Sequence, residues 1–453
     1  MVLSDTQTSV SIKTARRKHR QTILTMNYLH KNSAPCTKTE VDLFTVPPTQ
    51  TAILDTQLIS ISPINSVSGL NSTPVEFVIP GSSEYFLDLS SVSLQLRVQL
   101  VKANGDQLPT TSEAFPESNF LHTYFNQVAI SLNGKKVSSS SSNYAYRTYL
   151  EKFINYSVTS KMTHQNSSGY FSESHRDDHN TNCKNNKKKI FEYYGKLHGD
   201  IFQQNRLLLN SVEVRIKMVR SPHAFHINQS GPNTDDVIAK ILDSELFVKR
   251  VKLSSHVYLS IERHLTAHNA MYPLRRVETR SYTIPSALTF KSINNIVNGT
   301  IPQKLIFGLL PHRAELGDYS KSCFHFNHFD LDTVSLCLNG APVIKPYEVD
   351  FTSENKVLSR PYFDLFTTNG FIGSSSNGLT ADEYTKTATL FSFDLSNDQC
   401  SNLFSHINPL RQGELSLKLK FKSPVVNPIT VLIFMEYLDI VEISRSRTVL
   451  YDI

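Results

Sequence analysis

The stretch Phe326-Asn-His-Phe-Asp-Leu-Asp-Thr-Val-Ser-Leu-Cys-Leu-Asn-Gly-Ala-Pro-Val343 decides the reading of the chain, because an earlier version of it stands at Phe120-Leu-His-Thr-Tyr-Phe-Asn-Gln-Val-Ala-Ile-Ser-Leu-Asn-Gly-Lys-Lys-Val137. Phe, His, Val, the Leu-Asn-Gly triplet and the closing Val coincide without a gap at an offset of 206 residues. Each copy is an apolar run ending in Asn-Gly, a pair that tolerates the positive φ of a type I′ turn and so marks a hairpin. One Leu-Asn-Gly is common. Two in the same wider frame indicate a duplicated unit.

Two further pairs extend the frame. Ile79-Pro80 recurs as Ile284-Pro285 at an offset of 205, and Ser221-Pro222 recurs as Ser423-Pro424 at an offset of 202. The second pair closes two alternating runs, Val212 to Val219 and Leu415 to Phe421. A period near 200 residues with two copies describes a tandem pair of domains, not a solenoid.

The bulk properties agree. A chain of 453 residues, 40% apolar and with 26 Phe and 19 Tyr, can fill two cores. No apolar run reaches the length of a membrane span; Ile429 to Ile443 is too short and contains Glu436 and Asp439. The start has no apolar stretch of the secretory kind. The five cysteines, Cys36, Cys183, Cys323, Cys337 and Cys400, are sparse and odd in number, which fits free thiols in a reducing compartment. Net charge is +6, but Lys13, Arg16, Arg17, Lys18, Arg20, Lys31 and Lys38 supply seven positive charges in a segment without acids. Taking those seven from +6 leaves −1 for the rest, so the basicity lives in a tail.

Read in order, residues 1–46 carry no hydrophobic period and form a basic arm. Ser93 to Leu100 alternates strictly, with Leu94, Leu96, Val98 and Leu100 on one face, as a half-buried strand does. Asn143 to Tyr156 is helical in pattern, with Asn143 as its cap and Tyr146, Tyr149, Leu150, Phe153 and Ile154 at helical spacing. Residues 157–190 read as a long polar loop, and Gly370 to Gly378 as a second; both belong at a rim, not between sheets. Strands are expected at Leu207–Val219, Val237–Leu253 and Ile429–Ile443, and a helical insert near Phe363–Thr368. Many short strands without a βαβ rhythm make the fold all-β: two tandem eight-stranded jelly rolls with short helical inserts. The expected division is an arm over 1–46, a first roll over 47–260 and a second over 261–453.

The chemistry is thin. His175, His179 and Cys183 have metal-like spacing, but their Asp/Asn/Ser-rich surroundings favour a solvated segment. Cys323, His325 and His328 alternate with Phe, the pattern of core packing. Phosphate loops, nucleophile elbows and metalloprotease motifs are missing from the sequence. No catalytic, cofactor-binding or metal residue is assigned, and no enzyme activity is expected. Lys13, Arg16, Arg17, Lys18 and Arg20 have three readings: contact with nucleic-acid phosphate, nuclear import, or neither.

Beyond these patterns the chain resembles the major capsid proteins of Polinton/Maverick elements and adintovirus-like viruses, the double jelly-roll lineage. The resemblance runs from Met26 to the end. It is carried by Leu43 to Gln50, Val75 to Gly81 with Tyr85 and Leu87 to Leu89, Leu132-Asn-Gly134, Leu197-His-Gly-Asp-Ile-Phe202 and Arg206 to Asn210. Further matches are Tyr272 to Val277, Thr283 to Pro285, Ile440 to Ile443 and Val449 to Asp452. Residues 1–25 precede the point where the family pattern begins, and 157–190 is richer in Asn, His and Lys than that pattern. The resemblance implies a homotrimer of pseudo-hexagonal outline tiling an icosahedral shell. Its implied partners are further copies, penton and minor capsid proteins, and double-stranded DNA held by the arm. The implied location is the virion, assembled in the host nucleus or cytoplasm and not secreted. The alternative is a cellular β-sandwich binding or scaffold protein derived from such an element.

Overall fold

A computed structural model describes residues 30–33, 38–65, 73–138, 143–229, 236–352, 357–371, 376–402 and 406–451. The segment up to Gln50 forms a unit of its own, with a 3-10 turn at Thr39–Val41. Thr51 onward forms the second unit, and everything below concerns it.

Among the described residues, ten strands precede residue 254: β1 Ile53–Ile61, β2 Val75–Ile79, β3 Tyr85–Lys102, β4 Ala114–Pro116, β5 Phe125–Leu132, β6 Lys135–Lys136, β7 Ile190–Lys196, β8 Val214–Arg220, β9 Ile227–Gln229 and β10 Val237–Leu253. Eight of them build two antiparallel sheets, ordered β1-β10-β3-β7 and β2-β8-β5-β6. The period-2 pattern of β3 sends Leu94, Leu96, Val98 and Leu100 inward and Arg97 out. These meet Phe77, Ile130 and Ile216 of the opposite sheet in one core.

Ten more strands repeat the plan: β11 Ala270–Ile284, β12 Phe290–Thr300, β13 Lys304–Pro311, β14 Leu331–Leu338, β15 Ala341–Pro342, β16 Tyr347–Glu348, β17 Leu390–Asp394, β18 Gln412–Phe421, β19 Ile429–Ile443 and β20 Val449–Leu450. Their sheets run β11-β19-β13-β17 and β12-β18-β14-β15. Strand for strand this is the first order again, and the fold is a double jelly roll. Lys304 to Leu310 and Ile429 to Tyr437 are buried without alternation. A sheet covered on both faces has continuous apolar strands, which is why β13 and β19 read as unbroken runs.

The duplicated hairpin is real at atomic detail. β5 and β14 keep the 206-residue offset from first residue to last. Asn133 and Gly134 have φ of 45° and 81°, Asn339 and Gly340 52° and 84°. In both rolls the asparagine does more than turn the chain: Glu213 N–H donates to Asn133 Oδ1 at 2.8 Å, and Glu414 N–H to Asn339 Oδ1 at 2.9 Å. Ser221-Pro222 and Ser423-Pro424 likewise follow the equivalent strands β8 and β18. The Ile-Pro pair does not belong to the frame. Ile79 ends β2, which pairs with β8, whereas Ile284 ends β11, which pairs with β19 and corresponds to β1. That match is a coincidence of two strand ends.

Two other expectations need correction. The helix appears at Tyr144–Asn155, but the Asn143 side chain makes no capping hydrogen bond; only its carbonyl accepts, from Arg147 N–H. Residues 157–190 are not a loop. They hold helices at Val158–Met162 and Arg176–Asn185 and a 3-10 turn at His164–Ser168. Asp177 and Asp178 fit the positive end of the second helix. The segment reads as polar because few of its groups are buried, among them Tyr170, Phe171 and Cys183.

Candidate assembly site at the seam between the rolls

Each roll is interrupted at the same step, between its short hairpin and the outer strand of the opposite sheet. In the first roll the insert lies between β6 and β7; in the second, between β16 and β17, it carries helices at Ser359–Thr368 and Ala381–Lys386. The inserts touch. Lys161 Nζ, 8% exposed, donates to Phe153 O and to Asn377 O, both at 3.0 Å. Gly378 has φ +84°, and a Cβ there would stand 2.1 Å from Val158 Cγ2. The helix Tyr144–Asn155 crosses furthest: Ala145, Tyr146, Leu150, Phe153 and Ile154 belong to the second roll's core, and Tyr149 stacks on Phe324 at 4.1 Å.

The opposite side of that helix is polar and equally buried. Arg147 Nε lies 2.9 Å from Glu151 Oε1 and its Nη2 2.7 Å from Asp200 Oδ1, both acids being fully enclosed. His198 Nδ1–H donates to Glu151 Oε2 at 2.5 Å. Val277 N–H of β11 donates to Asp200 Oδ1 at 3.1 Å, which ties the network to the second roll. Burial alone would push the Glu151 carboxyl up, but Arg147 and His198 outweigh it and hold it down at about 2. Tyr144 Oη accepts from His198 N–H at 3.2 Å and donates to His122 Nδ1 at 3.1 Å. Gly199 sits among these groups because a Cβ there would meet Ile130 Cδ1 at 2.5 Å. Such a cluster positions elements, fixing the helix Tyr144–Asn155 against both rolls.

Several of the segments that carry the family resemblance meet close by. Tyr272 Oη donates to Leu207 O and accepts from Leu209 N–H, both at 3.1 Å, and Arg206 Nη1 donates to Met271 O at 2.6 Å. Arg447 reaches Asn210 Oδ1 and Glu262, both at 2.6 Å. Leu197, Ile201, Leu208, Tyr272, Leu274, Val441, Val449 and Tyr451 complete the same apolar cluster. The motifs at 197–202, 206–210 and 272–277 therefore meet at the joint between the rolls.

The basic residues Lys13, Arg16, Arg17, Lys18 and Arg20 lie outside the described residues. His179 stacks on Phe171 at 4.1 Å with its Nε2 3.4 Å from Cys183 Sγ, while the His175 ring turns to Ser172. No group of three or more His, Cys, Asp or Glu with metal-holding geometry occurs among the described residues. Cys323 is buried and His328 stacks on Phe351 at 4.7 Å. Sequence reading missed Arg147, Glu151 and Asp200. The available signal was the Arg147/Glu151 spacing of four on a helix whose other face is apolar.

No protein-family model matches the chain. An uncharacterized protein of Caenorhabditis elegans is 24% identical over 398 residues, covering 83% of this chain and 92% of that protein. Among solved structures, a chain of the Sputnik virophage, determined by cryo-electron microscopy, aligns with a TM-score of 0.61 at 12% identity, covering 93% of both chains. The PBCV-1 virus capsid gives 0.56 at 12% identity, over 90% of this chain and 100% of that one. The mavirus major capsid protein gives 0.53 at 9%, over 94% and 96%. At these identities the likeness is one of fold. In strand order, in paired sheets and in extent, this chain has the double jelly-roll fold of viral major capsid proteins.

Proposed function

We propose that the protein is a structural major capsid protein of a Polinton/Maverick-like, adintovirus-like virus or integrated element. One observation carries the reading. Two rolls of identical strand order, interrupted at the same step, are joined by a buried seam, so three chains supply six near-equivalent wedges. A closed three-fold ring then needs a heterologous contact between the first roll of one chain and the second of its neighbour. Obligate contacts of this kind bury roughly 2,000–5,000 Å². In this reading the chain divides into an arm over 1–46 and rolls over 47–260 and 261–453. The inserts stand at the rim of the ring, and further lattice contacts involve penton and minor capsid proteins. The arm, through Lys13, Arg16, Arg17, Lys18 and Arg20, meets encapsidated double-stranded DNA. The product is a virion component assembled in the nucleus or cytoplasm, not an enzyme.

The second reading is a cellular β-sandwich binding or scaffold protein descended from such an element. It draws on the animal relative of similar length. Light scattering separates the two. The capsomer reading expects a mass near three times 51.2 kDa. A stable, well-folded monomer at micromolar concentration would move the assignment to the cellular module.

A further inference from the structure

The outer face of the sheet β1-β10-β3-β7 carries a cavity of about 640 Å³, walled on one side by the 3-10 turn His164–Ser168 of the insert. At its floor is Lys152, 2% exposed. Its Nζ donates to Ser168 Oγ at 2.6 Å and stands 5.9 Å from the centre of the Tyr170 ring. No carboxylate pairs with it among the described residues. An ammonium has three donors, so this one has donor capacity left over at the edge of a cavity. Burial without a counter-charge pulls it down to about 7.

The remaining wall repeats the sign. Lys196 and Lys249 are exposed on the rim, beside His164. The carboxylate in the wall, Asp88, is already engaged by the Ser90 N–H and hydroxyl, at 3.1 and 2.6 Å. Ser91 and Ser93 of β3 line the cavity. The Ser93 hydroxyl donates to Ser91 O and keeps its acceptor capacity, whereas Ser91 Oγ donates to Asp88 O and already accepts once, from Lys249 N–H at 2.8 Å. Tyr194, 43% exposed, offers an aromatic face. A bare phosphate or carboxylate ion would leave most of the space empty, whereas cavities of this size suit a small organic ligand.

We propose that this cavity binds an acidic sugar, with its anionic group at Lys152 and its hydroxyls along the serine row of β3. The inference does not depend on the capsid reading, and its test is separate from assembly. Titration calorimetry of the full-length protein with glucuronate, glucose and inorganic phosphate provides that test. Glucuronate is expected to bind with a roughly millimolar Kd. Glucose and phosphate should each bind at least about tenfold more weakly, since each lacks half of the recognised chemistry. Lys152→Met should weaken glucuronate binding roughly 30-fold or more. The same variant should melt no lower than the parent without ligand, because it removes an unpaired buried charge. Lys249→Met, at an exposed position, provides a variant with little risk to the fold and should weaken binding severalfold. Glucuronate affinity unchanged in both variants overturns the proposal, as does the absence of glucuronate binding. Equal affinity for phosphate or for glucose overturns the acidic-sugar assignment.

Discussion

Removing the Arg147 guanidinium would leave Asp200 and Glu151 enclosed without their common cation. Breaking a buried ionic cluster at one member costs about 3–5 kcal/mol. Arg147→Met should therefore lower the melting temperature sharply. Arg215→Met, which removes an exposed partner of Glu76, should shift stability by less than about 0.5 kcal/mol. Similar melting temperatures for the two variants would refute the role given to the seam. Histidines make a second prediction at this scale. Burial holds the imidazoles of His122, His198 and His226 below the ordinary 6.5, and that of His179 at about 4. Below pH 6.5 the unfolded chain takes up protons that the folded one refuses, so stability rises with pH. The stabilisation is complete above that value and is lost progressively as pH falls below it towards the folded-state values. Melting temperatures measured between pH 5 and 7 should climb steadily; a flat profile would contradict it. None of this was visible in sequence. A histidine in a polar run and one in a core look alike until the chain is folded.

Among the elements, strands were the most legible. Val237–Leu253 and Ile429–Ile443 occur with the bounds read from the sequence, because each is long and bordered by turn residues. Burial in β18 follows alternation: Leu417 is fully buried and Lys418 exposed. Leu417→Asp should unfold the second roll by placing a charge in its core, while Lys418→Asp should be near neutral. Equal thermal stability would mean that the register of β18 is wrong. The inserts were illegible for a physical reason. Arg176–Asn185 buries Cys183 alone, so no apolar period announces a helix. Its place is set by contacts far off in sequence, such as Arg176 with Glu117 at 2.8 Å and Lys184 with Glu113 at 3.1 Å. The Ile-Pro coincidence teaches the converse: two residues at the end of a strand do not say which strand it is.

For the molecule, duplication was readable because each hairpin asparagine has two duties, a left-handed turn and a hydrogen bond to the neighbouring strand. The joint between the rolls was quoted in the sequence as family motifs without a reason for them. The reason lies in pairs such as Asp200 with Val277, 77 residues apart. The arm is the part that should be dispensable for folding. Deleting residues 1–39 should leave the melting temperature unchanged, since that segment has no apolar pattern to bury. If it meets DNA, the slope of log affinity against log salt should fall by about 0.9 for each phosphate that the shortened chain no longer neutralises. Unaltered DNA affinity after the deletion would favour import or neither.

The helix Tyr144–Asn155 has a consequence in time as well as in space. It leaves the ribosome with the first roll, yet the core that its apolar side joins includes β19, which ends at Ile443. At ~5–20 residues per second, synthesis of the intervening chain takes on the order of 15–60 s. During that interval Tyr146, Leu150 and Phe153 have no second roll to cover them, and a neighbouring nascent chain on the same message offers an identical surface. The order in which the halves are made thus creates a need for a chaperone, or for slow initiation, that a protein of two self-sufficient rolls would not have.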